Sequence, residues 1–226
     1  YIRQIRLKAR QKEGELRLET LRGQMNPHFI FNSLNSINYF ISGNDKLSAN
    51  QYISDFSRLI RSILSNLSND YILLEKEIIS LQDYLKMEHL RFGDKFNYSL
   101  ENGKMGNMTQ VMVFPGMVQP FVENAIWHGV RGLEERLGMI RVEFIPAGPG
   151  FIRCIVEDDG IGRKMSEITK NELPGKKSQG IGIVTERLKV INNLRKTNYR
   201  ITIEDKFSDR EETGTRVNID IPVRVE

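Results

Sequence analysis

The sequence predicts a chain that is helical up to about Gly93 and α+β beyond it. Two observations carry this. Before Gly93 the strong helix formers cluster and apolar residues recur every three or four positions; after it, several short runs alternate with a period of two. At 226 residues, with 39% hydrophobic and 27% charged content, the chain is long enough for two modest cores of the ordinary soluble kind.

Residues 1–22 are rich in helix formers, with Ile2, Ile5, Ala9, Leu16 and Leu18 in a partly heptad-like spacing that Lys12 interrupts. A solvated, paired helix and a rigid connector from an upstream sensor both fit this stretch. The helix is expected to continue through QMNPHFIFNSLNSINYFIS to the break at Gly43-Asn44-Asp45. Further helices are predicted over about Leu47–Leu67 and Leu74–Phe92, joined by a polar turn at 66–70. Then FNYSLEN reads as a strand and PGMVQPFVENAIWHGV as a helix with prolines near its start. MIRVEFI and FIRCIVE form strands around PAGPG. Residues 163–179 are polar and lysine-rich and read as a mobile loop. GIGIVTERLKVINNL is a helix entered through glycines, and RITIEDKF and TRVNIDIPV pair as a terminal hairpin.

Several function classes lose support at this stage. A formal charge of +4, with basic and acidic residues interleaved, gives no stripe for nucleic acid. The single Cys154 lies in an apolar run, which suits a buried thiol in a reducing cytoplasm. No stretch approaches the roughly 20 apolar residues of a membrane helix. The chain begins at Tyr1 rather than Met and reads as part of something longer, with the remainder on its N-terminal side.

Four groups of residues carry chemistry. At Pro27-His28, the missing N–H of proline should kink or loosen a helix. Ile30, Leu34, Ile37 and Ile41 share one face of that helix, whereas His28 falls opposite with Gln24, Asn32 and Asn35. A structural histidine would be expected on the apolar stripe; one on the polar edge suits nucleophilic use, and the geometry alone leaves both open. Next, Glu123, Asn124 and His128 share one helix, and amide and carboxylate oxygens are hard ligands suited to Mg²⁺, though a polar face wetted by solvent would look the same. Asp158-Asp159-Gly160-Ile161-Gly162 follows an apolar strand; an acid there can accept from an exocyclic amine, and an ordinary acidic turn has the same composition. Finally, Gly180-Ile181-Gly182 opens a helix whose free N–H groups suit an anion, or serves as a hinge.

In that order, QMNPHFIFNSLNSI, QPFVENAIWHG, DDGIG and GIG resemble the LytS/YehU-type family of bacterial sensor histidine kinases, from about Leu21 onward. The resemblance implies an N-terminal helical dimerisation and phosphoacceptor region followed by a Bergerat-type (GHKL) α/β sandwich, as in gyrase, Hsp90 and MutL ATPases. It divides the chain into a signalling helix over 1–22, a histidine phosphotransfer region over 23–93 and a catalytic ATP-binding domain over 94–226. It implies that His28 accepts a phosphoryl group from ATP and that Asn124 of the N box holds Mg²⁺, supported by Glu123 and His128. It makes Asp158 the acid that reads the adenine amine, with Gly160 and Gly162 beside it. Gly180 and Gly182 become the phosphate-facing glycines, and 163–179 the lid. The implied partners are a second copy of the chain, an upstream membrane sensor region and a response regulator, with the LytTR type as candidate; no nucleic acid is implied. The implied place is the cytoplasmic side of a membrane-anchored protein.

Departures from the family pattern are Asp159 where asparagine is common, Thr185 where many relatives carry asparagine, and Phe29 where many other histidine kinases place an acid after the histidine. Rival readings are a GHKL-type ATPase with Glu123 activating water, a non-enzymatic dimerisation module, and, more distantly, a metal hydrolase built on His89 and His128. His89 itself reads as structural.

Overall fold

A computed structural model describes residues 27–93, 95–103, 111–163, 179–206 and 214–224. Helix α1 (Pro27–Ser42) is followed by α2 (Lys46–Leu67), a short strand β1 (Ile72–Leu73) and α3 (Leu74–Phe92). The helices expected over about Leu47–Leu67 and Leu74–Phe92 are present, as is the stretch from Pro27 to Ser42. Asp45 caps α2 by accepting from the Ser48 N–H at 3.0 Å, and the polar turn ends it after Leu67. The connector predicted over 1–22 and its continuation into the Pro27 region lie outside the described residues.

The inward face of α1 differs from the expected one. Phe29 and Ser33 are buried, whereas Leu34 is 50% and Ile41 55% exposed. The apolar stripe was expected to be the core face, but a helix apolar on two sides can offer only one of them to its own chain. Phe29 wins because its ring fits between Phe56 of α2 and Tyr84 of α3, at 5.9 and 5.5 Å between centroids. Asp55, buried on α2, binds Arg58 at 2.7 Å and Lys86 of α3 at 3.2 Å, which ties these two helices together.

The remaining strands are β2 (Phe96–Glu101), β3 (Met112–Val113), β4 (Gly138–Gly148), β5 (Phe151–Asp158), β6 (Ile201–Asp205) and β7 (Thr215–Arg224). Two helices accompany them, α4 (Gln119–Asn124) and α5 (Gln179–Arg195). The sheet runs β1-β3-β7-β5-β4-β2, with β6 beside the first half of β7. Among the described strands, only the β2–β4 pair is parallel. Alternate residues point inward: Ile140, Val142 and Phe144 from β4, Ile152, Cys154 and Val156 from β5, and Val217, Ile219 and Ile221 from β7. They share one core with Leu81, Tyr84 and Leu85 of α3, Phe121 and Val122 of α4, and Val184, Leu188 and Ile191 of α5. The result is an α/β sandwich of helices over one face of a mixed sheet, as expected. Because Ile72–Leu73 pairs with Met112–Val113 and α3 packs on the sheet, this packing reaches back across Gly93.

The predicted helix over 115–130 is shorter and less regular than expected. Six α-helical residues give way to a π turn at Ala125–Gly129 and a 3₁₀ turn at Val130–Gly132. Gly129 explains the change: a Cβ there would sit 2.6 Å from an Asp158 carboxylate oxygen, so the chain presses its backbone onto the end of β5.

Candidate nucleotide site

A cavity of about 190 Å³ opens where the end of β5 meets α4, its π turn and the start of α5. Asn124, His128, Asp158, Gly162 and Arg163 line it on the polar side; Phe121, Ala125, Val156, Ile181, Ile203 and Val217 supply apolar walls. Four of the residues singled out from sequence, Asn124, His128, Asp158 and Gly162, are thereby gathered from separate elements.

Asp158 is only 5% exposed, at the last residue of β5. Its Oδ1 accepts the Gly160 N–H at 2.9 Å. Burial pushes its pKa up to about 6; the charge of Asp159 adds to the rise, and N–H bonds from Gly160 and Thr215 oppose it. Gly160 is required by proximity, because a Cβ there would lie 2.1 Å from the carbonyl carbon of Gly129. The two glycines let the strand end and the π turn touch, and that contact places Asp158 beside Asn124 and His128. Gly129 went unrecognised as a site residue; the glycine closing AIWHG was its only signal.

Glu123 does not line the cavity among the described residues. It is half-buried and accepts from Gln119 Nε2 at 3.0 Å. Burial pushes its pKa up to about 7, Gln119 opposing and the nearby Glu88 adding to the rise. Gly182 is exposed, outside the cavity lining, while its neighbour Ile181 lines it. Gly180 is the second residue of α5 and His28 the second of α1; the side-chain placement at both positions lies outside the described residues, as do residues 164–178 of the expected lid.

The departures find local explanations. Asp159 is paired away from the cavity lining, accepting from Arg136 Nη1 at 2.8 Å and from the Met139 N–H at 2.6 Å. Thr185 donates its hydroxyl to the Ile181 carbonyl at 2.8 Å, within its own helix. His89 bonds the Phe96 carbonyl at 2.9 Å through Nδ1 and meets the Phe96 and Tyr98 rings edge-on, a structural role as expected. Arg163 and Asp205 form a two-pronged ion pair at 2.7 and 2.8 Å beside the cavity. Sequence reading missed this pair, since 42 residues separate its members.

A family model, histidine kinase, matches residues 16–96. Over 185 residues the chain is 31% identical to the sensor histidine kinase YpdA of Escherichia coli strain K12, covering 80% of this chain and 32% of that protein. It is also 31% identical to the sensor protein LytS of Staphylococcus saprophyticus over 166 residues, 72% of this chain and 27% of the relative. This chain belongs to the LytS-type histidine kinase family. It spans about a third or less of the length of those relatives. Among solved structures, the histidine kinase domain of the Erythrobacter litoralis EL346 blue-light activated kinase is similar at 17% identity and a TM-score of 0.45, over 92% of this chain and 95% of that one. No helix among the described residues is long and apolar enough to cross a membrane.

The lining of this cavity has chemistry that suits a nucleotide. A buried carboxylate under apolar walls suits a flat base with an exocyclic amine. An amide and an imidazole on the same wall suit the metal-bound phosphates. Among the described residues no three His, Cys, Asp or Glu side chains gather into a metal cluster. Asn124 offers an amide oxygen that would suit Mg²⁺, an ion that commonly keeps water and phosphate oxygens as its other ligands.

Proposed function

We propose that this LytS-type chain is the kinase part of a two-component sensor, binding Mg²⁺-ATP in the cavity and phosphorylating its own His28. The observation that carries the reading is the buried Asp158 carboxylate facing an apolar cavity beside Asn124 and His128. In this reading Asp158 accepts a hydrogen bond from the adenine amino group, while Val156, Ile203 and Val217 pack against the ring. Asn124 holds Mg²⁺, which offsets phosphate charge when bound, and His128 supports the phosphates. Glu123 braces the Asn124 helix through Gln119. The glycines at 180 and 182 let α5 begin close to the phosphates, with 163–179 as the lid.

His28 supplies the nucleophile. A neutral ring nitrogen forms the N–P bond as the bond from γ-phosphorus to the bridging oxygen breaks, and ADP leaves; positioning and charge neutralisation supply most of the acceleration. The phosphoryl group then passes to an aspartate of a response regulator, with the LytTR type as the candidate. The exposed apolar face of α1, with Leu34 and Ile41, supports a homodimer through the helical region. The sensor attached upstream anchors the chain to a membrane, with this part on its cytoplasmic side.

A direct test is calorimetric titration of the chain with Mg²⁺-ATP and Mg²⁺-GTP. A carboxylate that accepts from an amine rejects the guanine carbonyl, so ATP is expected to bind at least roughly tenfold tighter. Equal affinity for the two, or no binding of either, contradicts the assignment of Asp158 and with it the site.

A further inference from the structure

Glu77, Leu81, Tyr84 and Glu88 of α3 are spaced four, three and four apart, and all four are buried. They form one face, and the segment carrying Asn124 is gripped from it at both ends. At the near end both carboxylate oxygens of Glu77 accept the Gly116 N–H at 3.1 Å, and the N–H groups of Met117 and Val118 also reach this carboxylate. Gly116 has φ +71°, the left-handed conformation that glycine adopts readily, and so turns these N–H groups toward one point. Arg187 of α5 holds the same turn from its other side, donating to the Pro115 carbonyl at 3.1 Å with its guanidinium 4.7 Å from the Phe114 ring centre. At the far end Arg91 binds Glu88 at 2.9 and 3.2 Å and lies 4.5 Å from the ring of Trp127, between Asn124 and His128 in the chain.

Glu77 and Arg187 do not line the cavity. A carboxylate at 4% exposure is expensive to bury, and an apolar residue of similar size would pack there at less cost. What the carboxylate does that an apolar residue cannot is hold several consecutive N–H groups at once. We infer that Glu77 is a positioning residue for the nucleotide site: it fixes the turn at 115–118 to α3, and thereby sets where Asn124 presents its amide to the metal-bound phosphates. Since α3 also holds Phe29, next to His28, through Tyr84, the same helix registers the acceptor helix and the nucleotide helix against each other. This inference rests on the nucleotide reading above.

The test is ADP binding to the full chain with and without Mg²⁺, comparing native protein, Glu77→Gln and Asn124→Ala. If Glu77 positions Asn124, Glu77→Gln loses the tightening that Mg²⁺ gives, by roughly tenfold, while Mg²⁺-free ADP binds as to native protein. The double variant should then lose no more than Asn124→Ala alone. Should Glu77→Gln fail to fold, Glu77→Asp keeps the charge, shortens its reach and is expected to show the same selective loss. Native Mg²⁺ dependence in the folded variant overturns the inference. So does an equal loss with and without Mg²⁺ that tracks a lowered melting temperature, since that marks a structural role only. If native protein binds no nucleotide at all, the nucleotide reading itself falls and takes this inference with it.

Discussion

The carboxyl of Asp158, with its pKa raised to about 6, contributes most to folding when protonated. Its stabilisation is full below the ordinary carboxylate range and is lost as pH rises toward about 6, because the unfolded chain releases that proton first. At neutral pH the folded protein therefore carries an ionised acid that its surroundings disfavour, the form that an adenine amine would need. Asp158→Asn should remove this pH dependence. Relative to native protein, the variant's stability should rise by on the order of 2 kcal/mol between pH 4 and 7, and its ATP affinity should fall. Chemical denaturation across that range checks the first effect; parallel stability curves for the two proteins would refute it. That Asp158, Asn124 and His128 would come together at one cavity was legible in the sequence, because the pattern is carried by residue type and order. The placement of Glu123 was not, because its neighbour in the chain faces the cavity and one step along a helix turns a side chain by about 100°.

Among the elements, α3 and α4 bring two carboxyls near each other, the buried Glu88 and the half-buried Glu123. Glu88 and Glu123 both have pKa values raised to about 7, chiefly by burial. Gln119, Arg91 and Arg131 face them, as does the buried Tyr84. Both raised values have the same sign of linkage: stability present below the ordinary carboxylate range is lost as pH rises toward 7, at up to about 1.4 kcal/mol per pH unit for each group. Glu123→Gln should flatten the fall in melting temperature between pH 5 and 7.5, seen by calorimetry. A native-like slope in the variant would show that Glu123 ionises freely. The longer helices and strands were legible because each repeats its own period several times. Strand β1, at two residues, has no period to read, and its partner residues lie 39 and 41 positions away. The π turn was hidden because the contact between Gly129 and Asp158 that causes it is tertiary.

Over the whole molecule, strand order is set by pairings that no local pattern encodes. The β2–β4 pair is parallel across the intervening α4, and β7 joins β3, β5 and β6. The sandwich was nevertheless anticipated, through the resemblance carried by four motifs rather than through periodicity. The same applies to the face of α1. Two apolar stripes compete, and packing within one chain selects Phe29 and leaves Leu34 and Ile41 half exposed. If that face joins a second copy, Leu34→Asp combined with Ile41→Asp should halve the mass measured by light scattering without changing helix content. An unchanged mass would place the dimer contact elsewhere.

The central claim, transfer from ATP to His28, is tested most directly by incubating the chain with Mg²⁺ and γ-labelled ATP beside His28→Gln. The account predicts acid-labile, alkali-stable label on native protein and none on the variant. Equal labelling of both, or a native chain that binds ATP and releases labelled phosphate without ever carrying it, would contradict the claim and favour an ATPase.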